Sequence, residues 1–278
     1  MAALADFDAY KTLIDRAGDF SVGLSLQNAA EVSRLVDMYN FTFPLPGAPT
    51  TAVALSRANE TAINAAWRGA PNAAMRIISA RSPGIGTSGL IGQGAYLLVD
   101  RLSHQGGLSG TTTTAQTTNL PTAALTRYTD GVGVMAALTI YTDVGTTAVS
   151  PTISYTNQAG TSGQTSGSFQ FGGTGWDDAG RTFIVPLAVG DTGVRAVASV
   201  TLGVSTGTAG AFGVTLFKPL AMIIVDGAGF QQQQIDFVSS GGIIGLGSEV
   251  HADAHLSLMQ VSTVASNLAF VDLAFALV

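Results

Sequence analysis

From about residue 130 onward, apolar residues alternate with polar or small ones, and this period of two is the feature that most limits how the chain can fold. Within residues 134–141, one set of alternate positions holds Val, Ala, Leu and Ile. The alternation returns in eight further segments, at 152–155, 168–171, 182–187, 194–202, 212–217, 221–225, 256–261 and 269–277. Gly, Asn, Asp and Ser separate these segments without an intervening helical pattern. An antiparallel β-sandwich or jelly-roll-like domain is therefore predicted over residues 126–278.

The first hundred residues show apolar side chains at the helical period of about 3.6 residues. Ser25 is a candidate N-cap, and Gly18 stands where a preceding helix would commonly end. The predicted fold class is α+β and mainly β, with a helical N-terminal region at 1–104 followed by the β-sandwich. The predicted helices cover residues 4–17, 26–36, 52–67 and 95–102.

Two stretches are rich in small residues. Residues 105–125 contain the run GGLSGTTTTAQTTNLPT, which is poor in charged and apolar residues, and are predicted to form an arm or linker. The stretch 156–180 places Phe169 and Phe171 at alternate positions between glycines. Because a linker needs no paired aromatic residues, we predict a turn at 160–167, a strand at 168–171 and a turn at 172–180. A disordered linker is the alternative that its composition allows.

Ionisable residues are scarce. Asp, Glu, Lys and Arg make up 11% of the chain, against about 25% in a typical soluble domain. Because charged groups are depleted from the cores of protein interfaces, this composition favours a subunit buried against other chains. The net charge of −6 and the presence of only two lysines, Lys11 and Lys218, argue against nucleic-acid binding.

The sequence predicts neither a membrane span nor secretion. No apolar run reaches the roughly 18 residues that a spanning helix needs. The acidic N-terminus lacks the pattern of a secretory signal, and the chain has no cysteine. Both features favour synthesis in the cytoplasm.

Enzyme motifs are weak. Residues 84–89 match GxGxxG, but Pro83 precedes them and Asp100 lies too close downstream to bind a ribose. The chain contains no GxSxG elbow, no P-loop lysine and only three histidines. We therefore predict no enzymatic activity and no cofactor.

His251, Asp253 and His255 occur in the sequence HADAH. On a strand these three residues would share one face and could present two imidazoles and a carboxylate to a metal. The sequence lacks the glutamate of HExxH, and no further ligand is evident, so no metal is predicted. The interpretation we favour has His255 and Ser257 facing solvent or a neighbouring subunit.

Trp176, Asp177 and Asp178 lie in the second predicted turn. The indole could stack on a sugar whose hydroxyls the carboxylates accept, or the carboxylates could bind Ca²⁺. The simpler interpretation, which we favour, is that Trp176 caps the edge of the sandwich.

Four segments carry a resemblance to a known family: LVDRLSHQGGLSG at 98–110, TRYTDGVGVMAALTIYTDVGTTA at 126–148, SYTNQAGTSG at 154–163 and PLAVGDTGVRAVASVTL at 186–202. Together, within residues 95–225, they resemble tailed-bacteriophage and prophage virion structural proteins. The resemblance implies a component of the capsid or head-to-tail region, made in the bacterial host cytoplasm and located in the virion. It carries over no functional residues.

The expected function is a capsid decoration or cementing protein that binds the major capsid protein or other virion proteins. It would act as a homo-oligomer, with a trimer favoured, whose modest contacts add up around a shell. A neck, collar or tail-attached subunit is the alternative within the virion. A glycan-binding receptor module using Trp176 is the alternative from another class.

Overall fold

Every regular element in the described part of the chain is a β-strand. The computed structural model describes residues 20–28, 35–37, 50–59, 75–82, 94–121, 124–225, 233–236, 249–262 and 267–277. Across these ranges, no helix has the length and apolar character needed to cross a membrane. In chain order the strands are β1 (Phe20–Asn28), β2 (Leu35–Asp37), β3 (Val53–Ala54), β4 (Met75–Ser82), β5 (Gly94–Leu108), β6 (Gln116–Leu120), β7 (Met135–Thr142), β8 (Thr152–Asn157), β9 (Gln164–Thr165), β10 (Thr182–Ile184), β11 (Val194–Thr201), β12 (Ala211–Val225), β13 (Gln233–Asp236), β14 (Glu249–Val250), β15 (Leu256–Ser262) and β16 (Asn267–Leu277).

The chain divides into two compact units, each assembled from separate segments. Unit 1 comprises Met1–Arg34, Arg57–Asp100 and Pro219–Val278. Unit 2 comprises Leu35–Ser56 and Arg101–Lys218. Each unit thus contains residues from both sides of the predicted arm.

Unit 1 contains an antiparallel sheet with the strand order β1, β16, β4, β13, and β14 also pairs with β4. Phe20 of β1 lies opposite Phe275 of β16, and Asn28 opposite Asn267. The first part of β5 pairs with β15, so that Leu98 lies opposite Leu258. Leu98, Leu256 and Leu258 are buried, as expected for strands whose apolar side chains enter a core.

Unit 2 contains two antiparallel sheets that share one core. In the first sheet β10, β7, β12 and β5 are neighbours and β3 pairs with β5, whereas the second has the order β6, β11, β8, β9. Both contribute buried residues to one apolar cluster, which is the packing of a β-sandwich. Its larger members are Leu102, Leu108, Leu120, Leu125, Leu138, Ile140, Ile153, Tyr155, Phe171, Leu202, Phe212 and Leu216.

The predicted helical N-terminal region is wrong where the structure describes it. The helix predicted at 95–102 is part of β5, and the one predicted at 26–36 overlaps β1 and β2. The described start of the helix predicted at 52–67 contains β3 and a turn. Short apolar segments fit either period, and pairing with other strands decides between them. The helix predicted at 4–17 and the GxGxxG match at 84–89 lie outside the described residues.

The strand predictions in the second half fare better. Strands occur at the predicted positions in β7, β8, β11, β15 and β16, while the segments at 212–217 and 221–225 belong to the single strand β12. The strand predicted at 168–171 is wrong, because only Phe171 forms an isolated bridge, to Val149. Phe171 is nevertheless fully buried in the core, so this stretch is not a linker.

The Thr/Gly-rich segment 105–125 is packed into unit 2. It contains the end of β5 and all of β6, which pairs with β11. Leu108, Leu120 and Leu125 from this segment are members of the core. The segment therefore contributes to the folding of unit 2 and does not merely connect other parts.

Candidate functional site

The HADAH sequence forms a turn before β15 and not a strand. His251 and Asp253 are exposed, and the backbone N–H of Asp253 donates to Nδ1 of His251 over 3.2 Å. The backbone N–H of Arg57 donates to the Asp253 carboxylate over 3.3 Å, and its guanidinium donates to the carbonyl of Ala252 over 3.4 Å. Burial lowers the pKa of Arg57, and Asp253 partly opposes this. Two hydrogen bonds from Arg57 therefore hold this turn in place.

His255 is placed apart from the two exposed residues of the turn. It is fully buried, and Ser257 is buried as well, so the predicted outward-facing arrangement of these two residues is wrong. The backbone N–H of His255 donates to Oδ1 of the buried Asp100 over 2.9 Å. Among the residues that the structure describes, no three His, Cys, Asp or Glu side chains are grouped to hold a metal.

Trp176 is 37% exposed and closes an aromatic stack that begins in the core. The ring centroid of Phe171 lies 4.9 Å from that of Phe212 and 5.1 Å from that of Phe183. The Trp176 and Phe183 centroids are 6.3 Å apart, in a tilted arrangement. Trp176 thus contacts the core through Phe183 while part of its side chain stays exposed, and its role as an edge cap stays a prediction.

Asp178 and Asp177, beside Trp176, make different contacts. The carboxylate of Asp178 pairs with the guanidinium of Arg181 over 3.0 Å. The carbonyl of Asp177 accepts a hydrogen bond from the backbone N–H of Val144 over 3.0 Å. Sugar or Ca²⁺ binding at this turn stays a prediction, and the pairing with Arg181 competes for the Asp178 carboxylate.

A buried polar group on β5 was missed from the sequence. Arg101, Ser103, His104 and Gln105 are all buried in unit 2. Burial lowers the pKa of Arg101 to about 10; burial, and secondarily Arg101, lowers the pKa of His104 to about 3. Because residues 95–102 were predicted to be helical, this polar group was not recognised. On a strand, Arg101, Ser103 and Gln105 lie on one face.

Several of these polar side chains connect chain segments of unit 2. Ser103 Oγ donates to the carbonyl of Val53 over 3.0 Å, and Gln105 Nε2 to that of Thr50 over 3.2 Å. Nη2 of the buried Arg127 donates to the carbonyls of Leu55, over 2.9 Å, and Arg101, over 3.0 Å. The geometry is that of structural cross-links between β5 and the chain around β3.

The outward side of the second sheet of unit 2 is lined by small uncharged residues, and we call it the hydroxyl face. Its central row crosses all four strands: Ser199 of β11 lies opposite Thr117 of β6 and Ser154 of β8, and Ser154 lies opposite Thr165 of β9. All four side chains are exposed or half-buried. The remaining members are Asn119, Thr152, Thr156, Ala196, Ala198 and Thr201.

Two irregularities in β11 widen this face. The register shifts between Val194 and Ala196 and again between Val197 and Ser199. The inward residues are consequently Val194, Val197 and Val200, all buried, and most of the intervening positions point outward. Each bulge inserts one extra residue on the bulged strand, so β11 presents more outward side chains than a regular strand would.

Within residues 101–218 of unit 2, the surface charges lie at the two loop ends of the sandwich. Residues 101–218 contain five aspartates, four arginines and one lysine, without glutamate; Arg101, Arg127 and Arg181 are buried. The Asp130 end, formed by loops 128–134, 157–161 and 188–195, carries Asp130, Asp191, Arg195 and Lys218. The Asp143 end, formed by loops 143–149, 172–180 and 203–210, carries Asp143, Asp177 and Asp178.

Arg195 and Lys218 donate hydrogen bonds to backbone carbonyls of the loops at the Asp130 end. Nε of Arg195 donates to the carbonyl of Asp130 over 3.1 Å, and Nη2 donates to that of Gln158 over 2.5 Å. Lys218 Nζ donates to the carbonyl of Val132 over 2.8 Å. Although Arg195 belongs to β11, its guanidinium is thus tied to the loops and does not extend over the hydroxyl face.

Comparisons with known proteins give no family. No family model matches the chain, and no curated protein matches it. Among solved structures, the chain is weakly similar to viral capsid proteins. T=1 particles derived from infectious bursal virus align with a TM-score of 0.20 and 9% identity over 93% of this chain and 77% of that one. The infectious bursal disease virus VP2 subviral particle aligns with a TM-score of 0.16 and 11% identity over 100% and 83%. TM-scores of this size do not establish a common fold, so no property is transferred.

Proposed function

We propose that the protein is a structural subunit of a tailed-bacteriophage virion, a capsid decoration or cementing protein that acts by binding neighbouring subunits and not by catalysis. The observation that carries the proposal is the hydroxyl face, a four-stranded sheet surface whose outward side chains are uncharged except for Arg195, whose guanidinium is tied to the Asp130 end. The cores of protein interfaces are depleted of charged residues, and the hydroxyl face shares that depletion.

The resemblance of residues 95–225 to virion structural proteins supports the same proposal. This range includes all of residues 101–218, the larger segment of unit 2, and with it the hydroxyl face. The partners we propose are the major capsid protein or other virion proteins, together with copies of this chain. The trimer expected from the sequence stays a prediction.

Copy number in purified particles tests the proposal. A decoration protein that covers the capsid is expected in hundreds of copies per particle, whereas a neck or collar ring would hold about a dozen. Quantitative staining or mass spectrometry against the major capsid protein separates these outcomes. Absence of the protein from purified particles would overturn the structural role altogether.

A further inference from the structure

We propose that the hydroxyl face binds the hydroxyl face of a second copy of this chain, related to the first by a two-fold axis. The inference rests on the proposed structural function and names the partner for this face.

The central row is chemically complementary to itself. The hydroxyls of Thr117, Ser154, Thr165 and Ser199 can each donate one hydrogen bond and accept others. Two identical rows can therefore satisfy each other across a two-fold axis, where every residue meets the same set of residues. A row of carboxylates or ammonium groups would repel its own copy, and neither occurs in the hydroxyl face.

The same features disfavour other occupants. Aromatic side chains, on which a sugar would stack, are missing from the outward positions of the four strands. The cations needed to bind phosphate groups are tied to loop carbonyls at the Asp130 end. Short Ser, Thr and Ala side chains, in contrast, allow a second sheet to approach closely.

The size of the face predicts a weak contact. Four strands spaced by about 4.8 Å and six residues rising by about 3.3 Å each give a patch of roughly 15 by 20 Å. This is well below the roughly 800 Å² that each partner buries in a standard stable interface. The contact is therefore expected to be transient between isolated molecules and to become effective when it is repeated within an assembly.

Disulfide trapping tests the contact directly, because the natural chain contains no cysteine. Single variants Ser154→Cys and Ser199→Cys report on the central row. Val204→Cys, at a side chain 59% exposed in the Asp143 end, is the matched control. Under mild oxidation, Ser154→Cys, Ser199→Cys or their mixture is expected to form covalent dimers at least about tenfold faster than Val204→Cys. Rates no faster than that of Val204→Cys in Ser154→Cys, in Ser199→Cys and in their mixture would overturn the proposal.

Charge complementation shows whether the trapped contact is made by the two faces. Ser154→Lys and Ser154→Glu, each placed in the Ser199→Cys background, are expected to slow trapping at least about tenfold, because like charges then face each other. Mixing the two proteins should restore the fast rate in a Lys–Glu heterodimer. Thermal unfolding of both variants checks that the fold is kept, and failure of the mixture to recover would overturn face-to-face pairing.

The outcomes separate this inference from the proposed function. Particles that contain the protein, combined with trapping no faster than the control, would remove the two-fold contact and leave the structural role. Fast trapping of a protein that is absent from particles would support the two-fold contact and overturn the structural role in the virion.

Discussion

Two buried aromatic residues, Phe171 and Tyr155, join the two sheets of unit 2 to the loops around them. Phe171 comes from a segment without regular strand structure, yet it is fully buried between Phe183 and Phe212. Tyr155 is also buried, and its hydroxyl donates to the Asp191 carboxylate and accepts from the backbone N–H of Ala188. The first residue fills the interior, while the second fastens a loop at the Asp130 end.

Phe171→Ala is expected to lower the free energy of unfolding by about 3–5 kcal/mol, because it leaves a cavity in the aromatic stack. Phe169→Ala is the matched control, since Phe169 is only half-buried against the same core; about 1–2 kcal/mol is expected there. Chemical denaturation followed by intrinsic fluorescence measures both values. Equal losses would show that Phe171 is not held in the core.

His104 is expected to make stability depend on pH. Its pKa is lowered to about 3 from an ordinary value of 6.5, first by burial and then by Arg101. Between these values the unfolded chain binds a proton that the folded chain does not. The stability present above pH 6.5 is therefore lost as the pH falls, by at most about 1.4 kcal/mol per pH unit.

Denaturation of the natural chain and of His104→Gln between pH 7 and about pH 5 tests this dependence, because the ordinary titration of carboxylates lies lower. The difference in unfolding free energy between the two proteins is expected to shrink as the pH falls. Parallel curves across this range would show that His104 takes up its proton in the folded chain as it does in the unfolded one.

At the scale of elements, loops at the Asp143 end are joined through one hydroxyl. Thr206 Oγ1 accepts from the backbone N–H of Gly145 and lies within 3.0 Å of the carbonyls of Gly110 and Thr208. Gly145 passes so close to Thr206 that a side chain there would strike its backbone carbonyl. The loops after β5, β7 and β11 are thereby fixed to one another.

Thr206→Val keeps the shape of the side chain and removes its hydroxyl, which leaves the buried N–H of Gly145 without that acceptor. A loss of about 1–3 kcal/mol in unfolding free energy is expected. Thr208→Val, at an exposed position of the same loop, should change stability by less than about 0.5 kcal/mol. Hydrogen exchange at Gly145 gives a second, local measurement, and unchanged protection there would contradict the assignment.

Some strands could be predicted from the sequence pattern alone, and others could not. Residues 20–27 alternate between apolar and small or polar residues and belong to β1 (Phe20–Asn28), so the signal of a strand was present where a helix was predicted to begin. The hydroxyls of β8 at 152, 154 and 156 likewise follow from alternation. Their alignment with Ser199 does not, because the two register shifts in β11 depend on pairing with β8.

At the scale of the whole molecule, the two units are interleaved along the chain. Local patterns cannot reveal such an arrangement, since it depends on contacts between residues far apart in sequence. The burial of Arg101 and His104 was unpredictable for the same reason. The scarcity of charge, in contrast, is a property of composition and could be read directly.

The interleaving predicts how fragments behave. A fragment of residues 126–278 is expected to remain unfolded, because it lacks β5 and β6 and with them Leu102, Leu108 and Leu120 of the core. Residues 101–218 retain these leucines but lose β2, β3, the first part of β5 and the end of β12, so this fragment is expected to fold with reduced stability. Circular dichroism and amide dispersion in NMR spectra compare the two fragments, and a folded 126–278 would contradict the interleaved arrangement.

Within residues 101–218, the surface charges are confined to the loop ends, and this affects the conditions under which the proposed contact between hydroxyl faces can form. A joint made by Ser and Thr hydroxyls neither takes up protons nor releases counterions when it closes. The strength of such a contact therefore changes little with salt concentration or with pH near neutrality. A shell fastened in this way would keep its parts attached as it passes from one medium to the next.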